Sequence, residues 1–191
     1  MFLEEADQLM SWLKRIGIAF VGNAAKFVES KLFDEFVYGF INIWAITKFG
    51  IQLGASLTFL IMAPLSALFC LWYLRLYDRV EKDLFGFEAI KVIRDIKAIT
   101  NRWKRFLCWL IRLGDIPAFI VLNCFWPNGD PFMATVYLRK EENVYRGLTR
   151  RDKDIFWASV LLSNSYWTLR WTGLVVFYKE LIWPATKHWF A

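Results

Sequence analysis

Histidine and cysteine are nearly missing from these 191 residues: there is one His, and there are three Cys. A lone imidazole, His188 near the end of the sequence, offers neither a nucleophile–base pair nor a ligand cluster. Cys70, Cys108 and Cys124 are odd in number, far apart and set in apolar segments. They form no disulfide framework and no CxxC pair, which leaves them the role of small buried hydrophobes. Catalytic fingerprints are absent too: there is no GxSxG, HExxH, Walker loop or Gly-rich nucleotide motif. The adjacent Glu141 and Glu142 would diverge on a helix, and "NGDP" at 128–131 reads as a turn. The acidic opening "MFLEEADQLMSWL" lacks the basic residues of a secretory signal, and neither a glycosylation sequon nor a lipidation motif occurs. No internal repeat, low-complexity tract or linker divides the chain, so residues 1–191 read as one membrane domain. These absences argue for a non-enzymatic protein without metal or cofactor. A lipid-modifying enzyme acting through Asp115 or Asp130 at the headgroup plane is the weakest alternative.

What the sequence has in excess is oil. Hydrophobic residues make up 57% and aromatics 19%, with eleven Trp and eighteen Phe. An ordinary soluble domain is about 45–50% apolar. Trp and Tyr suit the membrane–water interface, where an apolar ring with one polar edge is at home. Net charge is +6. Beside long apolar runs, that excess points to an anionic lipid surface rather than nucleic acid.

The chain divides by pattern. Residues 1–35 read as an amphipathic helix, apolar at three- and four-residue steps. "FVYGFINIWAIT", 36–47, is uncharged, but at about 1.5 Å per residue it reaches only about 18 Å. It reads as an interfacial segment or as the end of a tilted span. Residues 49–74 are free of charge, flanked by Lys48 and Arg75, and are the clearest transmembrane helix; Pro64 should kink it. Residues 75–113 form a basic amphipathic region broken near Gly86. Gly114 ends a helix, Asp115 suits an N-cap and Pro117 a first turn, so a new helix is expected over 116–126. At about 16 Å that helix spans half a bilayer. Residues 128–153 read as a polar loop with a short strand at Ala134–Leu138. Thr149 and Asp152 resemble a capping box opening a second long apolar helix over 154–183.

Charge sets the threading. Residues 75–105 hold nine Lys and Arg and residues 128–154 hold six. If 114–127 crosses the membrane, one of these groups lies outside, against the positive-inside rule. If 114–127 dips and returns, both stay cytoplasmic. The dip is preferred over a Pro-kinked crossing. The expected fold is therefore an all-α integral membrane protein, multi-pass in the plasma (inner) membrane. It has two to four transmembrane helices, amphipathic interfacial helices and a re-entrant helical hairpin.

Arg170 stands deep in the last long helix, where an Arg costs about 2.5–3.5 kcal/mol on insertion scales. With Asn164 and Ser163 it suggests a polar seam or pore lining, with Asp115 or Arg112 as the ion-pair neighbourhood. A snorkelling Arg170, or one paired with Asp115 for packing alone, is the plainer reading. Gly50 with Gly54, and Ala63 with Ala67, have the small-residue spacing that lets helices approach closely. Lys91, Arg94, Lys97, Arg102, Lys104 and Arg105 would contact anionic headgroups or a cytoplasmic partner at about 1 kcal/mol per residue. The leading expectation is an oligomeric or partner-bound subunit of a membrane assembly; the alternative is an oligomeric channel lined around Arg170.

Overall fold

The computed structural model describes residues 28, 31–80, 101–126, 129–139 and 145–182. Most of the expected N-terminal amphipathic helix, the break at Gly86, and Lys91, Arg94 and Lys97 lie outside the described residues. Within them every regular element is helical and there is no strand. A π-helical stretch, Lys31–Val37, runs into α1, Tyr38–Phe49. Then follow α2, Ile51–Val80; α3, Arg102–Arg112; and α4, Asp115–Ile120, prolonged by a π stretch at Val121–Phe125. The last two are α5, Pro131–Leu138, and α6, Arg150–Phe177, prolonged by Tyr178–Ile182.

Two long helices frame the molecule. At about 1.5 Å per residue α2 is about 45 Å long and α6 about 42 Å. Each exceeds the roughly 30 Å of a hydrocarbon core. Among the described residues α2 alone is both long and apolar enough to cross a membrane; α6 carries Arg170 and a charged first turn. The helix α2 continues through Pro64 without a break. The first turn of α6 is closed as its sequence predicts: the Thr149 hydroxyl accepts from the Asp152 amide, and the Asp152 carboxylate accepts from the Thr149 amide.

Against the long helices pack two shorter helical inserts. The first is α1, which packs antiparallel on α2 in the most extensive helix contact of the fold. Gly50 turns the chain between them with φ +80° and ψ 172°, a conformation essentially reserved for glycine. Four residues on, α2 crosses the α1 backbone so closely that a Cβ on Gly54 would stand 2.5 Å from the Ile46 Cα. Thus "FVYGFINIWAIT" belongs to a helical hairpin, continuous with the stretch that carries Glu35.

The second insert is the hairpin of α4 and α5. Arg151, in the first turn of α6, donates from Nη2 to the Asp115 carboxylate (3.2 Å) and from Nη1 to the Leu138 carbonyl (3.1 Å). One guanidinium therefore touches both the first residue of α4 and the last of α5. The segment enters and leaves at the same end of the bundle. The helix break expected at 114–115 is present.

Two local expectations are overturned. Residues 134–138 form no strand. Asp130 caps α5 by accepting from the Met133 amide (2.7 Å), Pro131 occupies the first turn, and seven of the eight α5 residues are buried. Capping and enclosure outweigh the β-leaning side chains of Thr135, Val136 and Tyr137. Nor is Asp115 the N-cap of α4. Gly114 takes that position without a side-chain hydrogen bond, and the Asp115 carboxylate is drawn instead to Arg151.

Candidate functional site: a charged end and a buried polar seam

Among the described residues, a cluster of buried and paired charges lies where α2 ends, α4 starts, α5 ends and α6 starts. Arg139, directly after α5, has a side chain with no solvent exposure. Its Nη1 donates to Asp78 near the end of α2 (2.5 Å), and its Nε stands 3.8 Å from the Asp152 carboxylate. Its Nε and Nη2 make no hydrogen bond. Arg139 thus sits as a buried cation between two acids, joining three helices. Beside it Tyr77 packs at a tilt against Tyr145 and meets Phe132 edge-on. This end is the base from which the hairpin hangs.

About 12 Å further in lies the hairpin tip, by the count of eight residues from Asp78 to Cys70, from Leu138 to Asp130 and from Asp115 to Asn123. The contacts agree. Cys70 Sγ is 3.8 Å from the Asp130 carboxylate, and Asn123 donates to the Phe119 carbonyl (2.7 Å) and to the Ser159 hydroxyl (3.3 Å). The Asn123 Oδ1 is buried without a hydrogen-bond partner.

From this tip a polar seam continues along α6. Ser159, Ser163, Asn164 and Thr168 are all buried. They are met by α1: the Tyr38 hydroxyl donates to the Asn164 carbonyl (2.8 Å) and lies 2.6 Å from the Thr168 hydroxyl. One turn on, Asn42 donates to the Thr172 hydroxyl (3.4 Å), while its own buried Oδ1 has no hydrogen-bond partner. The opposite face of α6 shows Trp157, Leu161, Leu169, Leu174 and Phe177, each about half exposed or more. From Trp157 to Phe177 the exposed face is apolar apart from Arg170, while the buried face sets Ser159, Ser163, Asn164 and Thr168 among the apolar Val160 and Val175.

The expected residues are thereby separated. Asn164 and Ser163 belong to the inner seam, but Arg170 does not: it is exposed, its guanidinium 4.5 Å from the centre of the Trp167 ring. Asp115 pairs with Arg151 rather than with Arg170 or Arg112, and Arg112 is exposed at the end of α3. Gly54, Ala63 and Ala67 are buried within the chain, whereas Gly50 is exposed at its turn. Arg102 and Arg105 are exposed on α3, and Lys104 lies in the same helix. No group of three or more His, Cys, Asp or Glu side chains suited to a metal ion occurs among the described residues.

Tyr38, Asn42, Asn123, Arg139 and Asp78 were not singled out by sequence reasoning. Tyr38 and Asn42 carried a usable signal: two polar groups four apart in an otherwise apolar run share one helix face. Comparisons of the chain with protein-family models, with curated proteins and with solved structures returned no match.

Proposed function

We propose that this chain is a multi-pass helical membrane protein, non-enzymatic, that acts as a subunit of a membrane assembly. The helices α2 and α6 cross the bilayer, α1 fills the outer half between them, and the α4–α5 hairpin re-enters from the cytoplasmic end. The apolar outer face of α6 supports lipid as its surroundings. A soluble bundle places such residues inward and its Ser, Asn and Thr outward.

The observation that carries the assembly reading is Arg170. It stands on that outward face among exposed Leu169, Leu174 and Trp167-stacked surface, eight residues or about 12 Å short of Tyr178. A guanidinium facing hydrocarbon at that depth is costly, and a second chain offering an acceptor removes the cost. Purified in mild detergent, the protein is expected to run as a complex by light scattering, and Arg170→Leu to shift it towards monomer while it still pellets with membranes. A wild-type protein that is strictly monomeric and free of partners overturns this reading.

The helix α3 gives the assembly its grip on the cytoplasmic leaflet. Leu107, Cys108 and Ile111 are buried, while Trp103, Phe106 and Trp109 form an exposed ladder with ring centres 5.7 and 5.9 Å apart. Arg102, Arg105 and Arg112 are exposed on the same helix. Interfacial aromatics beside arginines match the boundary between acyl chains and anionic headgroups.

A further inference from the structure

At the end of the molecule opposite the charged cluster, α1 and α6 run side by side in the same direction. Tyr38 meets Asn164 and Thr168, and Asn42 meets Thr172, so both sequences ascend together. Between their last turns lies a groove of about 760 Å³ lined by Ile43, Thr47, Trp171, Leu174, Val175, Tyr178 and Lys179. That volume is in the range of small-molecule sites.

The groove's lining is apolar apart from the Thr47 and Tyr178 hydroxyls and the Lys179 amine. Thr47 spends its hydroxyl proton on the Ile43 carbonyl (2.7 Å) of its own helix. The floor is the Trp171 indole, seated against Gly39 so closely that a Cβ there would lie 2.9 Å from the ring. Among the described residues Lys179 is the one charged residue of the lining, and Lys48 follows Thr47 in the last turn of α1. Glu180 is the next residue after Lys179 but does not line the groove.

We infer that this groove is a binding site for one anionic phospholipid, its acyl chain lying on Trp171 and Val175 and its phosphate held at Lys179 beside Tyr178. The inference rests on the membrane reading above. An apolar lining that also carries an amine and a phenol, beside the ends of two helices, is complementary to a lipid's tail and headgroup. Neutral solutes lack the charge, and soluble anions lack the tail.

The test is native mass spectrometry of the full chain in detergent, titrated with phosphatidylglycerol or phosphatidylcholine of the same acyl chains, after membrane pelleting has been confirmed. Phosphatidylglycerol is expected to bind about tenfold more tightly, the size of one charge-assisted contact. Val175→Trp fills the slot and should abolish the selective adduct. Lys179→Glu, at an exposed position that leaves packing untouched, should bring the two lipids to equal affinity and decides the matter if Val175→Trp fails to fold. Equal binding of both lipids by the wild type overturns the site, as does unchanged selectivity in Lys179→Glu. A chain that does not pellet with membranes overturns the membrane reading instead.

Discussion

At the scale of single residues, the charges are ranked by burial. Arg139 is enclosed and joined to Asp78 and Asp152, whereas the Arg151–Asp115 pair is open to solvent, with side-chain exposures of 44% and 76%. Removing one partner of a buried ionic group leaves uncompensated charge and typically costs about 3–5 kcal/mol. An exposed pair is screened and contributes below about 1 kcal/mol. Arg139→Ala should therefore lower thermal stability in detergent far more than Arg151→Ala. Equal melting temperatures for the two variants would show that the Asp78–Arg139–Asp152 cluster does not hold the helices together. No spacing rule selects Arg139 in the sequence. It follows an apolar run, and its partners lie 61 residues before it and 13 after; only the fold brings them to it.

At the scale of elements, close approach rather than hydrophobicity is what would hold α1 on α2 if the proposed lipid setting holds. In lipid, apolar side chains gain little by leaving their surroundings for each other, so helix pairs depend on backbone proximity and packing. Gly54 provides that proximity for α1 on α2. Gly54→Leu would drive a side chain into the Ile46 backbone and must part the hairpin. Overpacking of this kind costs about 1–3 kcal/mol, and chemical denaturation in detergent micelles should register it as a lowered midpoint. A variant as stable as the wild type would mean that the crossing at Gly54 is dispensable. Helix ends were the most readable elements: the Thr149–Asp152 box, the interruption at Gly114 and the stop after 126 are all local chemistry. The helix α5 was not readable, because "ATVYL" favours a strand by composition. What makes it helical is the Asp130 cap and enclosure on all sides, the second of which no window of sequence contains.

At the scale of the whole molecule, the pieces sort into two ends. One end holds Asp78, Asp115, Arg139, Arg151 and Asp152; the other holds Lys48, the Gly50 turn and Lys179. The charge count along the sequence favours a hairpin that returns over one that crosses; the contacts of Arg151 show that both ends of the α4–α5 hairpin lie together, and its relation to a membrane belongs to the proposal. Arg170 shows where such reasoning runs out. Its position in the helix was legible, but which way it faces depends on where α1 and the hairpin cover α6. The membrane proposal makes this arrangement measurable. In a background free of the three native cysteines, Lys48→Cys should react with an impermeant maleimide on intact cells, and Lys153→Cys only after the membrane is opened. Reaction of both from the same side would refute the threading.

The shortness of α4 and α5 has a consequence for biogenesis if the membrane proposal holds. Neither would then be long enough to be recognised as a span by the insertion machinery, and the helices packed against them, α2 and α6, lie on either side of them in the sequence. On that reading the hairpin would gain its second wall only after α6 had followed it out of the ribosome.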